Sequence, residues 1–108
     1  MTDEAEERRV GSGLDPSEPV LVRELVIRNR RGLHARAAAK FVTLAERFGA
    51  SVDVVKDGQA VSARSIMGLM MLGAGLGAAI ELRAEGWDAK EAIEAMAALV
   101  EAGFNEQD

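Results

Sequence analysis

His34 and Arg36 are the two residues whose types and spacing could do chemistry in this sequence. They lie in the stretch Arg-Arg-Gly-Leu-His-Ala-Arg over 30–36, where a basic loop meets an alanine-rich helix. A neutral imidazole carries one free electron pair, so histidine is a competent covalent nucleophile near neutral pH. A helix start presents unpaired N–H groups and about half a positive charge, which favours an anion. These features predict a phosphohistidine at His34, its phosphate held by helix N–H groups and by Arg36.

Arg36 supports this prediction because its position does nothing for helix stability. A positive side chain in the first turn opposes the helix dipole, so its presence indicates a negative partner. The planar guanidinium matches phosphate oxygens in geometry. In the competing interpretation His34 is a helix cap beside solvated arginines, and local chemistry alone leaves both interpretations open.

Composition excludes several other kinds of site. The 108 residues include no cysteine and one histidine, which excludes a disulfide framework, thiol catalysis and a multi-histidine metal site within one copy. We therefore expect neither a metal nor a cofactor. No apolar run reaches the roughly 18–20 residues of a membrane span, and the acidic N-terminus does not resemble a signal peptide. The sequence predicts a cytoplasmic protein without membrane insertion.

The net charge of −5 conceals an uneven distribution along the chain. Residues 1–19 carry −4, residues 20–50 carry +5 and residues 51–108 carry −6. The first segment contains both prolines and few apolar residues, so we predict a disordered tail over 1–19 and one folded domain over 20–108. The basic segment is short and lies between acidic ones. It favours attraction of acidic partner proteins over binding of nucleic acid.

Hydrophobic periodicity predicts four strands and three helices in the order βαββαβα. The predicted strands are 20–28, 51–55, 59–63 and 80–85, with a hairpin turn at Asp57-Gly58. The predicted helices are 35–48, 66–72 and a last one that begins at Asp88. One four-stranded antiparallel sheet with three helices on one face, an α+β two-layer sandwich, is the economical packing.

Three helix ends carry recognisable signals. Gly49 is expected to end the first helix in a left-handed conformation. Asp88 and Glu91 have the spacing of a capping box at the start of the last helix. Gly103-Phe104 resembles a capped helix end with its hydrophobic contact.

Two ordered motifs in this chain resemble those of HPr, the histidine-containing phosphocarrier of the bacterial phosphotransferase system. The first is Gly-Leu-His-Ala-Arg over 32–36, followed by the alanine-rich helix. The second is Ala-Arg-Ser-Ile-Met-Gly-Leu-Met over 63–70, and Gly-Ala-Ala-Ile-Glu-Leu over 77–82 matches the last strand. The resemblance covers about residues 20–104 and implies the HPr-like open-faced sandwich.

The resemblance implies a stoichiometric phosphocarrier instead of a stand-alone enzyme. Enzyme I, phosphorylated from phosphoenolpyruvate, would pass a phosphoryl group to Nδ1 of His34, and a histidine on an enzyme IIA protein would receive it. Arg36 and the backbone amides of Ala35 and Arg36 would hold the phosphate. The sequence places no carboxylate beside His34 to activate water, which favours a carrier over a hydrolase.

Ala37 departs from the family pattern, which usually has proline directly after the arginine. Both residues fit a first-turn position, so the chemistry should survive. The departure makes the chain look more like HPr of the nitrogen-related branch than of the sugar-transport branch.

Ser65 precedes the second helix as an N-cap should. In some HPr proteins the matching serine is phosphorylated by a dedicated kinase, so regulation at Ser65 by an HPr kinase/phosphorylase is a second hypothesis beside the plain cap. The helix itself is too apolar to bury every side chain, and we expect Leu69 and Leu72 to pack inward. The remaining residues Ile66, Met67 and Met70 match positions that grip partners in the family.

One alternative function stays open at this point. A regulatory interaction module on the same fold could bind protein targets without relaying phosphate. Retention of both His34 and Arg36 favours the carrier, for which we expect a monomer.

Overall fold

The computed structural model describes residues 19–106 and has the predicted element order. Four strands form one antiparallel sheet in the order β1-β4-β2-β3: β1 Leu21–Val26, β2 Ser51–Lys56, β3 Gln59–Ser62 and β4 Ala79–Glu85. Three helices follow the predicted pattern, α1 Ala35–Ala45, α2 Ile66–Met71 and α3 Ala89–Glu101, and a short 3-10 turn, Gly103–Asn105, comes after α3. The α+β prediction is confirmed. The predicted tail over 1–19 lies, except for Pro19, outside the described residues.

The sheet buries one face because apolar and polar residues alternate along its central strands. Ile80, Leu82 and Ala84 of β4 are buried, while their neighbours along the strand are more exposed. On the outer face, Val22 and Val26 of β1 are about half exposed. Alternation at period two therefore determines which face the helices cover.

Helix α1 ends earlier than the sequence predicts. Its last residue is Ala45, and the next two amides form tighter bonds, Arg47 N–H to Leu44 C=O (3.0 Å) and Phe48 N–H to Ala45 C=O (3.2 Å). The expected left-handed Gly49 is wrong, since Gly49 is not among the residues with positive φ. The chain instead turns because Gly49 N–H donates to the carboxylate of Asp88 at 2.9 Å.

The predicted capping box at the start of α3 is also wrong. Asp88 makes no side-chain cap to its own helix. Its buried carboxylate accepts hydrogen bonds from Gly49 N–H (2.9 Å) and Ala50 N–H (2.8 Å). These two donors precede β2, so Asp88 joins the α1–β2 corner to the start of α3. A tertiary contact is therefore made in place of the predicted cap within α3.

The hairpin between β2 and β3 is confirmed. Asp57 and Gly58 have φ of 51° and 79°, as a two-residue turn of type I′ requires. Within residues 19–106, no helix has the length and apolar character needed to cross a lipid bilayer.

Gly32 sets the path of the loop that leads into α1. Its φ is +68°, and a Cβ there would lie 2.4 Å from the carbonyl oxygen of Ala74 and 2.7 Å from Cα of Gly75. Leu33 N–H donates to that same Ala74 oxygen at 2.9 Å. The loop before α1 is therefore pressed against the α2–β4 loop, and only glycine allows the approach.

We predict that Gly32→Ala destabilises the fold far more than Gly58→Ala. Both positions have positive φ and carry the same kind of backbone strain, about 1–2 kcal/mol. Only Gly32 also has backbone atoms in the place of the new Cβ, whereas nothing lies within 4 Å of it at Gly58. Chemical denaturation of both variants checks this expectation. Equal losses in the free energy of unfolding would contradict the close approach.

Candidate functional site

His34 lies where the basic loop meets the first helix, as the sequence predicts, and it is the N-cap of α1. Its backbone is extended, with φ of −78° and ψ of 178°, and its side chain turns back toward the first turn. The backbone N–H of Arg36 donates to Nδ1 at 3.3 Å. The imidazole is 22% exposed, so its edge can be reached from solvent.

A carboxylate contacts the other ring nitrogen, which corrects the expectation that none lies beside His34. Oε2 of Glu106 pairs with Nε2 of His34. Oε1 of the same carboxylate accepts a hydrogen bond from Nδ2 of Asn29 at 3.0 Å. Glu106 is 72 positions from His34 along the chain, so no local motif could have revealed it.

The two contacts together assign the tautomer of His34. Nδ1 accepts from a backbone N–H, so it holds the free electron pair. Nε2 therefore carries the proton and donates to Glu106. The nitrogen left open for covalent chemistry is the one that lies at the start of α1.

The turn after α3 carries Glu106 to the site. Gly103, Phe104 and Asn105 all have positive φ, between 57° and 64°. Phe104 is fully buried and packs edge-on against Phe41 of α1, with ring centroids 6.1 Å apart. The left-handed helix end predicted at Gly103 is thus confirmed, and the contact of Phe104 with Phe41 brings the chain back toward α1.

Two polar contacts fix this turn and the loop opposite. Nζ of Lys40, on α1, donates to the carbonyl oxygen of Phe104 at 2.6 Å. Asn29 is buried, and its Nδ2 also donates to the carbonyl oxygen of Gly32 at 2.8 Å. Asn29 thereby ties the loop before His34 to the carboxylate that contacts His34.

Glu106 is ionised at neutral pH. The hydrogen bond with His34 is the main cause that lowers its pKa below the ordinary value of 4.5, and the Asn29 hydrogen bond and the positive charge of Lys40 act in the same direction. Partial burial opposes them. Because this folded-state pKa is depressed, the stabilisation that the carboxylate supplies is present above the ordinary value and is lost as pH falls through the lowered one.

Arg36 and Ala35 lie on the exposed side of the helix start. Within residues 19–106, no side chain forms an ion pair with the Arg36 guanidinium. Arg36 is therefore placed at the open edge of the site, where it could meet an anion. Across the same part of the chain, no three acidic, histidine or cysteine side chains come together as a metal site would need.

Ser65 and the apolar residues of α2 form a separate group. Oγ of Ser65 accepts from Gly68 N–H at 2.9 Å, so the predicted cap is present. Leu69 and Leu72 are buried as expected, and Ile66, Met67 and Met70 are 40%, 69% and 41% exposed. Met71, Leu76 and Trp87 are also exposed, and the sequence did not single them out.

Comparison with known proteins identifies the family. The family described as the PTS HPr component phosphorylation site matches residues 21–102. The phosphocarrier protein HPr of Cupriavidus necator is 45% identical over 87 residues, which covers 81% of this chain and 98% of that protein. The phosphocarrier protein NPr of Shewanella violacea is 45% identical over 86 residues, covering 80% and 94%.

Solved structures agree with the fold. The crystal structure of HPr from Thermoanaerobacter tengcongensis superposes with a TM-score of 0.78 at 44% identity, covering 82% of this chain and 99% of that one. A crystal structure of Crh from Bacillus subtilis, described as a domain-swapped dimer, has a TM-score of 0.64 at 44% identity and covers 75% and 93%. The family match over residues 21–102 and the relatives at 44–45% identity lead to one conclusion: this chain belongs to the HPr family of phosphocarriers of the bacterial phosphotransferase system.

Proposed function

We propose that Nδ1 of His34 is the atom that carries the phosphoryl group between phosphorylated enzyme I and a histidine of an enzyme IIA protein. The orientation of the imidazole is the observation that supports this most strongly. Nε2–H points to Glu106, and the unprotonated Nδ1 points to the amides at the start of α1. The reactive electron pair therefore lies where an anion is favoured.

The backbone N–H of Arg36 has a different partner before and after transfer. It donates to Nδ1 in the free protein, and a phosphoryl group on Nδ1 removes that acceptor. The N–H then faces phosphate oxygens, together with the N–H of Ala35 and the guanidinium of Arg36. The negative charge of the transferred phosphoryl group thus meets hydrogen-bond donors that are already in place. This is the condition for electrostatic stabilisation without reorganisation.

We predict that His34→Ala abolishes phosphorylation and that Arg36→Ala slows it about 10- to 100-fold, since a hydrogen bond to a charged group contributes roughly 1.5–3 kcal/mol. The measurement is intact mass after incubation with phosphoenolpyruvate and enzyme I. The natural chain should gain one acid-labile phosphoryl group. Arg47→Ala, an exposed arginine just after α1, is the control and should match the natural chain. No gain with a competent enzyme I would overturn the proposal.

The exposed side chains of α2 are proposed as the docking surface for enzyme I and enzyme IIA. Helix α2 packs against α1, so Ile66, Met67 and Met70 share a side of the molecule with the first helix. Their flexible or branched apolar side chains, left open to solvent, suit partners that bind in turn.

We predict that Met67→Glu raises the KM of enzyme I for this protein about tenfold, the effect of losing roughly 1.4 kcal/mol of binding. Val22→Glu places the same charge at an exposed valine on the outer face of the sheet and should leave the KM unchanged. Steady-state phosphorylation by enzyme I measures both. Similar effects of the two variants would remove α2 from the docking surface.

Ser65 is proposed as a regulatory phosphorylation site for an HPr kinase/phosphorylase. Its hydroxyl caps α2 next to Ile66 and Met67. A phosphate there would favour the helix start and place negative charge against the docking surface.

We predict an acid-stable phosphate on the natural chain and on Ser62→Ala, but not on Ser65→Ala, after treatment with the host's own kinase and ATP. Ser62 is the control because it lies three residues away and is exposed. Mass spectrometry of the phosphopeptides distinguishes the two sites. A chain that stays unmodified would restrict Ser65 to its role as a helix cap.

We further propose that the protein works in the cytoplasm as a monomer, in a relay for sugar uptake or for nitrogen-related regulation. The swapped Crh dimer supports a dimer as the alternative to the monomer. The alternative function is a regulatory module that binds protein targets without relaying phosphate. Light scattering measures the oligomeric state, and acceptance of phosphate in the phosphorylation assay excludes the alternative function.

A further inference from the structure

Glu106 has no role in the function proposed so far, although it makes the most direct side-chain contact with His34. Its carboxylate is 11% exposed and has a donor on each oxygen, Asn29 on Oε1 and His34 on Oε2. The turn that carries it is anchored by the buried Phe104 and by Lys40. A glutamate so close to the described end of the chain needs such anchors if it is to hold one position.

We infer that Glu106 is a positioning residue that holds His34 in the tautomer with Nδ1 unprotonated and balances the positive charge that the ring gains when Nδ1 is phosphorylated. The inference rests on the proposed function, because it assigns a role to Glu106 through the reacting histidine. Without a carboxylate at Nε2, neutral histidine would divide between its two tautomers, and only one of them presents an electron pair at Nδ1.

The charge that appears during transfer follows from the electron balance. The Nδ1 electron pair forms a bond to phosphorus, and the bond from phosphorus to the donor's leaving atom breaks, with that electron pair staying on the leaving atom. The ring of His34 keeps its proton on Nε2, so it becomes a cationic phosphoimidazolium. An adjacent carboxylate favours this form over the neutral ring. When the phosphoryl group moves on, the bonding pair returns to Nδ1 and the ring is neutral again.

Asn29 orients the carboxylate of Glu106 relative to the loop that leads to His34. It is buried, and the two hydrogen bonds that its Nδ2 donates link Gly32, two residues before His34, with Oε1 of Glu106. Its own Oδ1 has no partner among the described residues, so the side chain is oriented by its donors alone. Asn29 thus occupies one carboxylate oxygen and leaves the other to contact the imidazole.

The carboxylate lies on the side of the ring away from the transfer. Glu106 contacts Nε2, whereas phosphate would sit on Nδ1. Both oxygens of Glu106 already accept hydrogen bonds. This arrangement differs from that of a general base for water attack on the phosphate, which would need a carboxylate on the Nδ1 side.

The test compares Glu106→Gln with Glu101→Gln in the full chain. Both remove one negative charge near the end of α3, but Glu101 is exposed, and the carboxylate that contacts His34 is that of Glu106. The chain has one histidine, so ¹⁵N-histidine labelling gives a single ring whose two nitrogen shifts report the tautomer directly. We expect the Nε2–H tautomer in the natural chain and in Glu101→Gln, and a mixture of tautomers in Glu106→Gln.

The kinetic arm uses enzyme I and phosphoenolpyruvate. Glu106→Gln should lower kcat for phosphoryl acceptance about tenfold with little change in KM, since a charged hydrogen bond is lost but the docking surface is intact. Glu106→Asp should recover part of the rate. Unchanged ring shifts and a rate equal to that of Glu101→Gln would overturn the role of Glu106. If the natural chain itself accepts no phosphate, the proposed function fails, and the nitrogen shifts still test whether Glu106 sets the tautomer.

Discussion

The start of α1 requires an acceptor for its unpaired N–H groups, and this chain uses the imidazole that we propose as the phosphoryl carrier. Most helices are capped by a serine, threonine or aspartate oxygen that has no other task. Here Nδ1 of His34 accepts from the N–H of Arg36. The nitrogen that caps the helix is thereby the nitrogen aimed at the anion-binding amides. A phosphoryl group on Nδ1 would replace the nitrogen as the acceptor, so the helix start would have a partner in both states.

The surrounding fold satisfies this constraint with contacts from distant parts of the chain. Gly32 and Leu33 dock on the Ala74 carbonyl, which directs the loop into α1. From the other end, Phe104 is packed against Phe41 and brings Glu106 to Nε2. Asn29 joins the loop before α1 to the turn after α3 by donating to Gly32 and to Glu106. The sheet provides the base on which these loops are held, and none of the polar contacts at the site is made by a strand.

Much of the fold and half of the site could be predicted because their signals are local. Period-two alternation in β4, the Asp57-Gly58 turn and the Ser65 cap each depend on a few neighbouring residues, and all are present in the structure. Asp88 shows where local reasoning fails, since its carboxylate caps the α1–β2 corner instead of its own helix. Glu106 was missed for the same reason. A hydrogen bond between residues 72 positions apart leaves no periodic trace, and only the Gly103-Phe104 signal indicated that the chain turns back there.

The number of residues between Phe104, which is anchored in the core, and Glu106 determines where the carboxylate lies. The aromatic ring cannot slide because it is fully buried, and three successive left-handed residues fix the direction in which the chain leaves it. Insertion or deletion of a single residue between them would leave the core intact but move the carboxylate by more than 3 Å, about the rise of one residue of extended chain. The number of residues between Phe104 and Glu106 therefore matters as much as their types. Natural variation in this short segment should conserve the number of residues more strictly than their identity.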